Sequence, residues 1–239
     1  MEQIYTIPVN EALDAGAADA TCGCPMCALY RKLEENELDL ILGASMMEPD
    51  VRIKTNEQGF CRTHYDMMFV RKNRLGMALT LESHLNELRE DIEAGLIGNL
   101  LGRPDSRPQK RIAALEKSCY VCTRIDFHFQ HMAETVALLF EADDDKGTFA
   151  NKLKSQPYFC LPHYRLLLEK GAARLPKKQM ADFTKILSGV VEHYMDTLRE
   201  DVSWFCKKFD YRYENEPWKN SKDSVERAIK FLRSDIHKS

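Results

Sequence analysis

Cysteine and histidine residues recur in this 239-residue sequence at a spacing that is typical of metal sites. Two C-x-x-C pairs and two F-C-x-x-H motifs occur in the order pair, motif, pair, motif. Thiolate and imidazole are the donors of tetrahedral zinc sites, and two ligands separated by two residues can approach one ion together. The predicted ligands are Cys24, Cys27, Cys61, His64, Cys119, Cys122, Cys160 and His163.

The two sets of four ligands belong to an internal repeat. The match continues beyond the ligands, because each half also contains Leu-Arg-Glu-Asp, at 88–91 and again at 198–201. Duplication of an ancestral unit is the simplest account. We therefore divide the sequence into a first metal-binding repeat, a linker, a second metal-binding repeat and a C-terminal helix, at 1–101, 102–118, 119–215 and 216–239.

The elements that must position these ligands show mainly the apolar periodicity of helices. Apolar residues three and four apart predict two long amphipathic helices, through Leu81, Leu85, Leu88, Ile92 and Leu96, and through Leu187, Val191, Tyr194, Leu198, Val202, Phe205 and Phe209. A last helix is predicted from about 221 to 236, with Val225, Ile229 and Leu232 on one face. Alternating strand patterns are nearly absent. The predicted fold is all-α, with two tandem helical repeats, each stapled by a metal site, plus a C-terminal helix.

Both C-x-x-C pairs stand at predicted helix starts, where the positive end of the helix dipole stabilises thiolate charge. We expect two zinc ions per chain, with an iron-sulfur cluster as the alternative, since three thiolates and one imidazole can also hold a cluster. Pairing within each repeat is favoured over pairing between repeats. Closing a loop of ~35 residues costs about 1 kcal/mol less than closing one of ~100.

Two cysteines stand outside this pattern. Cys22, two positions before Cys24, is either an exposed thiol without a ligand role or a further thiol for the first site. Cys206 falls on the apolar stripe of the second long helix, which predicts a core position.

The segment 46–56 joins the ligands of the first repeat. It is expected to be a loop shaped around the ion, or a functional segment.

Several of these stretches resemble one uncharacterised protein family. The sequence is similar to it at 24–27, 47–52, 55–56, 59–64 and 159–164, and the resemblance spans nearly the whole chain. The family is a domain of unknown function, found mainly in anaerobic Gram-positive bacteria, with a duplicated C-x-x-C…F-C-x-x-H motif. The resemblance implies no activity.

The remaining features bear on function mainly by exclusion. A formal charge of -3 provides no global attraction to nucleic acid. We find no membrane-spanning run and no secretory leader, so a cytoplasmic location is expected. Nucleophile and phosphate-loop motifs are lacking, which leaves enzymatic activity unsupported.

We expect a binding or interaction module for a protein or nucleic-acid partner. The alternatives are a metal-handling or thiol-redox protein and an iron-sulfur enzyme. The oligomeric state is open.

Overall fold

A computed structural model describes residues 3–100, 106–143 and 147–236 of the chain. Regular structure in these ranges is helical, which confirms the all-α class. Eleven α-helices lie in the described ranges: α1 Gln3–Ala18, α2 Pro25–Leu42, α3 Pro49–Gln58, α4 Arg62–Val70, α5 Arg74–Leu100, α6 Arg107–Leu115, α7 Tyr120–Glu141, α8 Thr148–Lys154, α9 Leu161–Arg174, α10 Lys177–Lys207 and α11 Ser224–Arg233. Short 3₁₀ turns lie at Ala20–Cys22, Ala44–Met47 and Tyr211–Tyr213.

The repeat is visible in the order and length of the helices. Helices α2 to α5 follow the first cysteine pair, and α7 to α10 follow the second in the same order, each series ending in its longest helix. The last helix, α11, is confirmed with shorter bounds than expected. Part of the predicted linker forms α6, while residues 101–105 and 144–146 lie outside the described residues.

The segment 46–56 is mainly helical, so the expectation of a loop is wrong. Helix α3 begins at Pro49, whose fixed φ suits the first helical position. The Asn56 side-chain amide donates a hydrogen bond to Ser83 Oγ at 2.8 Å, which ties α3 to α5. Thr55 and Asn56 are both buried. This segment therefore has a packing role in the helix series.

The chain forms two compact units, and these do not coincide with the sequence repeats. One unit consists of residues 1–31 together with 129–239, and the other of residues 32–128. Helices α2 and α7 each contribute residues to both units. The division into 1–101, 102–118, 119–215 and 216–239 stays a prediction.

In the unit of residues 1–31 and 129–239, α10 is the central helix, and it packs against α8, α9 and α11. Its apolar stripe is buried as predicted at Leu187, Val191 and Leu198. Phe183, also on α10, and Phe159, just before α9, are completely buried. Cys206 is exposed, so its predicted core position is wrong. It lies in the final turn of α10, beyond the buried stretch of the stripe.

In the unit of residues 32–128, α5 packs against α3, α4 and α6. The face of α5 that is buried carries Met77, Thr80 and His84. The predicted stripe is wrong at Leu85 and Ile92, which are exposed, and the side chain of Leu96 lies outside the described residues. Polar contacts such as the Asn56 to Ser83 hydrogen bond orient α5, and periodicity of apolar residues cannot detect them.

Replacing Leu187 with alanine should destabilise the protein strongly. The side chain is 0% exposed, and truncating a buried leucine usually costs about 2–5 kcal/mol through lost burial and the cavity left behind. Denaturant unfolding at a fixed zinc concentration measures the loss. Met195→Ala on the same helix is the control, since Met195 is 45% exposed and should change stability little. Equal effects of the two substitutions would contradict the assigned helix face.

Candidate metal centres

The eight predicted ligands come together in two groups of four. Within each group the donor atoms all lie within 4.8 Å of one another, so each group could hold a metal ion. One, the closed cluster, consists of Cys24, Cys27, Cys160 and His163. The other, the open cluster, consists of Cys61, His64, Cys119 and Cys122. The names refer to the burial of the ligands described below.

The donors of the closed cluster surround one point. His163 Nδ1 lies 3.6, 3.4 and 3.1 Å from the sulfurs of Cys24, Cys27 and Cys160. The Sγ atoms of Cys27 and Cys160 are 3.7 Å apart. A tetrahedral zinc ion with bonds of about 2.3 Å to sulfur and about 2.0 Å to nitrogen requires donor separations of roughly 3.5–3.8 Å. The donors lie close to that range, at 3.1–3.7 Å, so their spacing suits a single ion.

The open cluster repeats this geometry. His64 Nδ1 lies 3.2 Å from Cys61 Sγ, 3.2 Å from Cys119 Sγ and 3.4 Å from Cys122 Sγ. The sulfurs of Cys61 and Cys122 are 3.9 Å apart. Both imidazoles therefore face their cysteines through Nδ1.

Each cluster combines the C-x-x-C pair of one repeat with the C-x-x-H pair of the other, so the expected pairing within repeats is wrong. The loop-closure term that favoured local pairing is only about 1 kcal/mol. Burying one leucine side chain contributes about 1.5–3 kcal/mol, so the packing of whole helices outweighs that term. All four ligands of each cluster consequently lie within one compact unit.

Every ligand pair occupies the same place at the start of a helix. Cys24, Cys61, Cys119 and Cys160 directly precede α2, α4, α7 and α9, and the second ligand of each pair is the third helical residue. The carbonyl of each leading cysteine accepts the first helical hydrogen bond, for instance from Tyr164 N–H at 2.8 Å. Two positive helix ends therefore meet at each cluster, where they stabilise thiolate charge.

Protonation in the metal-free chain is unequal among the thiols. Burial disfavours the Cys24 thiolate, but hydrogen bonds with Cys160 and Cys27 outweigh it and hold the pKa of Cys24 well below the ordinary thiol value. The hydrogen bond with Cys122 lowers the pKa of Cys119 to about 3, and the same hydrogen bond raises the pKa of Cys122. Like charges at this separation repel strongly, so a divalent cation is needed to stabilise three thiolates together.

The chain matches one family over its whole length. The model of DUF6062, described as a family of unknown function, matches residues 1–239. The chain belongs to this family. Comparison with curated proteins and with solved structures finds no match. The expected family resemblance is confirmed, and the bacterial origin stays a prediction.

The surroundings of the two histidines differ in this DUF6062 chain. Glu34 Oε1 lies 3.2 Å from His64 Nε2, with both residues almost completely buried. Burial opposes the charged imidazole, but hydrogen bonds to Cys119 and Glu34 raise the pKa of His64 to about 10. The His163 ring instead lies 5.2 Å from the Phe129 ring, centroid to centroid. Because Glu34 and Phe129 each follow a second cysteine by seven residues, they are equivalent positions of the repeat.

Sequence reasoning missed Glu34, Phe129 and Asp235 as neighbours of the clusters. Glu34 stands at the position where the second repeat has an apolar residue, and this difference between the repeats is the sequence signal that could have identified it.

Cys22 is half-buried and lines a cavity of about 590 Å³ beside Cys24 and Cys27. It is not among the four donors of the closed cluster. Among the described helices, none is long and apolar enough to cross a bilayer.

Paired substitutions test which ligands act together. In the variant Cys24→Ser/Cys160→Ser both changes fall in the closed cluster, so the open cluster stays intact and one metal ion per chain should survive a competing chelator. In Cys24→Ser/Cys61→Ser both clusters are damaged, and neither ion should survive. Elemental analysis after gel filtration measures the content. Pairing within repeats requires the opposite pattern, with one ion retained by the second variant.

Proposed function

We propose that this chain is a zinc protein that holds one ion in each cluster as a structural staple, and that it serves as a binding module. The observation that carries the metal assignment is the donor set, with three thiolates and one imidazole nitrogen spaced for a tetrahedron. Closed sets of four soft donors are typical of structural zinc. Bound zinc would join two helix starts in each unit and supply no redox chemistry of its own.

The donor spacing supports zinc over an iron-sulfur cluster. Four donor atoms within 4.8 Å enclose a single ion, whereas a core of several iron and sulfide atoms would force the same side chains apart. All eight cysteines are unpaired, which agrees with a reducing compartment such as the cytoplasm. We therefore place the protein in the cytoplasm as part of this proposal.

Protein purified without oxygen and without added metal should be colourless and contain two zinc ions per chain. Elemental analysis and the visible absorption spectrum measure both properties. Cys119→Ser should lower the zinc content toward one, while Cys206→Ser is the matched control because its exposed sulfur lies outside both clusters. Brown protein that contains iron and labile sulfide would refute the zinc assignment.

Removing zinc with a chelator should also unfold the chain, because structural zinc contributes on the order of 10 kcal/mol to the stability of a small fold.

The surface that we assign to binding is one face of α11. Val225, Ile229 and Leu232 line this face with exposures of 41, 59 and 53%. The opposite face anchors the helix, since Phe231 is buried and packs against the ring of Tyr194. An apolar row on an anchored helix matches the way in which helices recognise apolar grooves or other helices.

Two of the three cations of α11 are held in ion pairs, which favours a protein partner over nucleic acid. Arg227 is held by Asp201 at 2.9 Å and by Asp223 at 3.0 Å. Lys230 lies 3.3 Å from Asp235. Cations that are already paired contribute little to phosphate binding, which depends on neutralising the backbone. The apolar row therefore carries the proposed recognition.

The substitution Ile229→Asp should abolish binding while leaving two zinc ions and the helical content unchanged. A charge placed in the centre of an apolar interface carries a large desolvation cost. Light scattering measures association between copies, and capture from a native lysate with wild type and variant in parallel measures other partners. Ile7→Asp on α1, which is also exposed, is the control. The binding surface is wrong if wild type and Ile229→Asp associate and capture partners identically.

A thiol-redox or metal-handling role is the second candidate. The observation that favours it is the exposure of Cys122, a ligand of the open cluster. Structural staples are normally shielded, so an accessible thiolate suggests chemistry beyond stapling.

A further inference from the structure

The two clusters have the same donors but differ in access to solvent. Every ligand of the closed cluster is buried, with at most 6% of any residue exposed. In the open cluster His64 and Cys119 are buried, Cys61 is half-buried and Cys122 is exposed. A dissolved reagent can therefore reach a sulfur of the open cluster directly, whereas the three cysteines of the closed cluster are at most 1% exposed.

A segment near the C-terminus adds a second shield to the closed cluster. The backbone N–H of Asp235 donates a hydrogen bond to Cys27 Sγ at 3.3 Å. Arg31 holds this segment through an ion pair with the Asp235 carboxylate at 3.1 Å. A hydrogen bond to a thiolate withdraws electron density from the sulfur and lowers its nucleophilicity. Burial and hydrogen bonding thus act in the same direction at Cys27.

The open cluster has the opposite electrostatic setting. Glu34, only 2% exposed, places a carboxylate 3.2 Å from the His64 ring. A carboxylate behind a ligating imidazole makes that ligand a stronger donor, and its charge adds to that of the thiolates. A backbone N–H···S contact in this cluster, from Cys122 N–H at 3.5 Å, reaches the buried sulfur of Cys119 and not the exposed sulfur of Cys122. Cys122 is consequently the accessible, electron-rich sulfur.

We propose that the open cluster is a thiol switch, in which a hydroperoxide oxidises Cys122 and zinc is released, while the closed cluster remains a permanent staple. The proposal rests on the zinc loading proposed above. It assigns different tasks to two sites of identical composition, and it names Cys122 as the modification site.

The chemistry balances with the hydroperoxide as the oxidant. The Cys122 thiolate attacks one peroxide oxygen, the O–O bond breaks, and the products are a sulfenic acid and an alkoxide, which takes a proton from water. The Cys61 thiolate, whose sulfur is 3.9 Å from that of Cys122, then attacks the sulfenic sulfur. A disulfide forms and hydroxide leaves, taking a proton to become water. Two thiolates lose two electrons, which reduce the peroxide, and zinc loses two of its four ligands.

Loss of this zinc would act on one unit of the chain. All four open-cluster ligands lie within residues 32–128, so their staple is removed while that of residues 1–31 and 129–239 is kept. Oxidation is thereby converted into a change in the folding of one unit. Reduction of the disulfide and rebinding of zinc restore the original state.

Zinc release from the zinc-loaded full-length protein during hydrogen peroxide treatment tests the proposal. The metal content is measured first, and a chromogenic chelator then reports release. One zinc ion per chain should be released at least roughly tenfold faster than the other, because the accessible thiolate reacts selectively. Mass spectrometric mapping after brief exposure should find a disulfide between Cys61 and Cys122. Equal release rates, or earlier oxidation of Cys24 or Cys27, would overturn the switch while leaving the zinc proposal intact.

Charge variants separate reactivity from simple exposure. Glu34→Gln preserves shape and removes the charge behind His64, so it should slow the fast phase while both zinc ions remain bound. Glu37→Gln is the matched control on the same helix, since Glu37 is also buried but lies against Arg124 at 3.1 Å. Cys206→Ser should leave the fast phase unchanged. An unchanged rate in Glu34→Gln refutes the electrostatic part, and protein that contains no zinc refutes both this proposal and the zinc assignment.

Discussion

Repulsion among three thiolates governs the design of each cluster. Sulfurs less than 4 Å apart cannot all be ionised without a neighbouring positive charge. The fold supplies part of that charge by bringing two helix N-termini to each cluster, with a leading cysteine in front of the helix and a second ligand at its third residue. A bound divalent cation would supply the remainder. The dependence is mutual, because the helix starts position the sulfurs and a bound ion would hold the helix starts together.

This constraint explains why four short motifs organise so much of the chain. Each cluster joins helices that are more than a hundred residues apart in one unit and more than fifty in the other. Within its own unit, each histidine is contacted by a further residue, His64 by Glu34 and His163 by Phe129.

The two donor sets have the same composition, and the residues around the donors distinguish them. A buried carboxylate faces one histidine and an aromatic ring faces the other. One cluster is covered by a hydrogen-bonded segment, and the other leaves a ligand exposed. Because the two donor sets are the same, access to solvent and local charge are the differences on which the proposed roles of permanent staple and reactive centre depend. The different roles that we propose for the two clusters follow from these contacts around the ligands.

The sequence by itself determined the helical class, the family, the identity of the eight clustered residues and the helix starts at which they stand. These features are local: donor type, spacing of two residues and helical periodicity can be detected within short windows. Only the tertiary structure decided that Cys24 and Cys27 join Cys160 and His163, that Leu85 is exposed while His84 is buried, and that Cys206 is outside the core. Pairing depends on the packing of helices distant in sequence, whose free energy exceeds the small loop-closure term available to sequence reasoning. The same packing decides which ligands meet solvent.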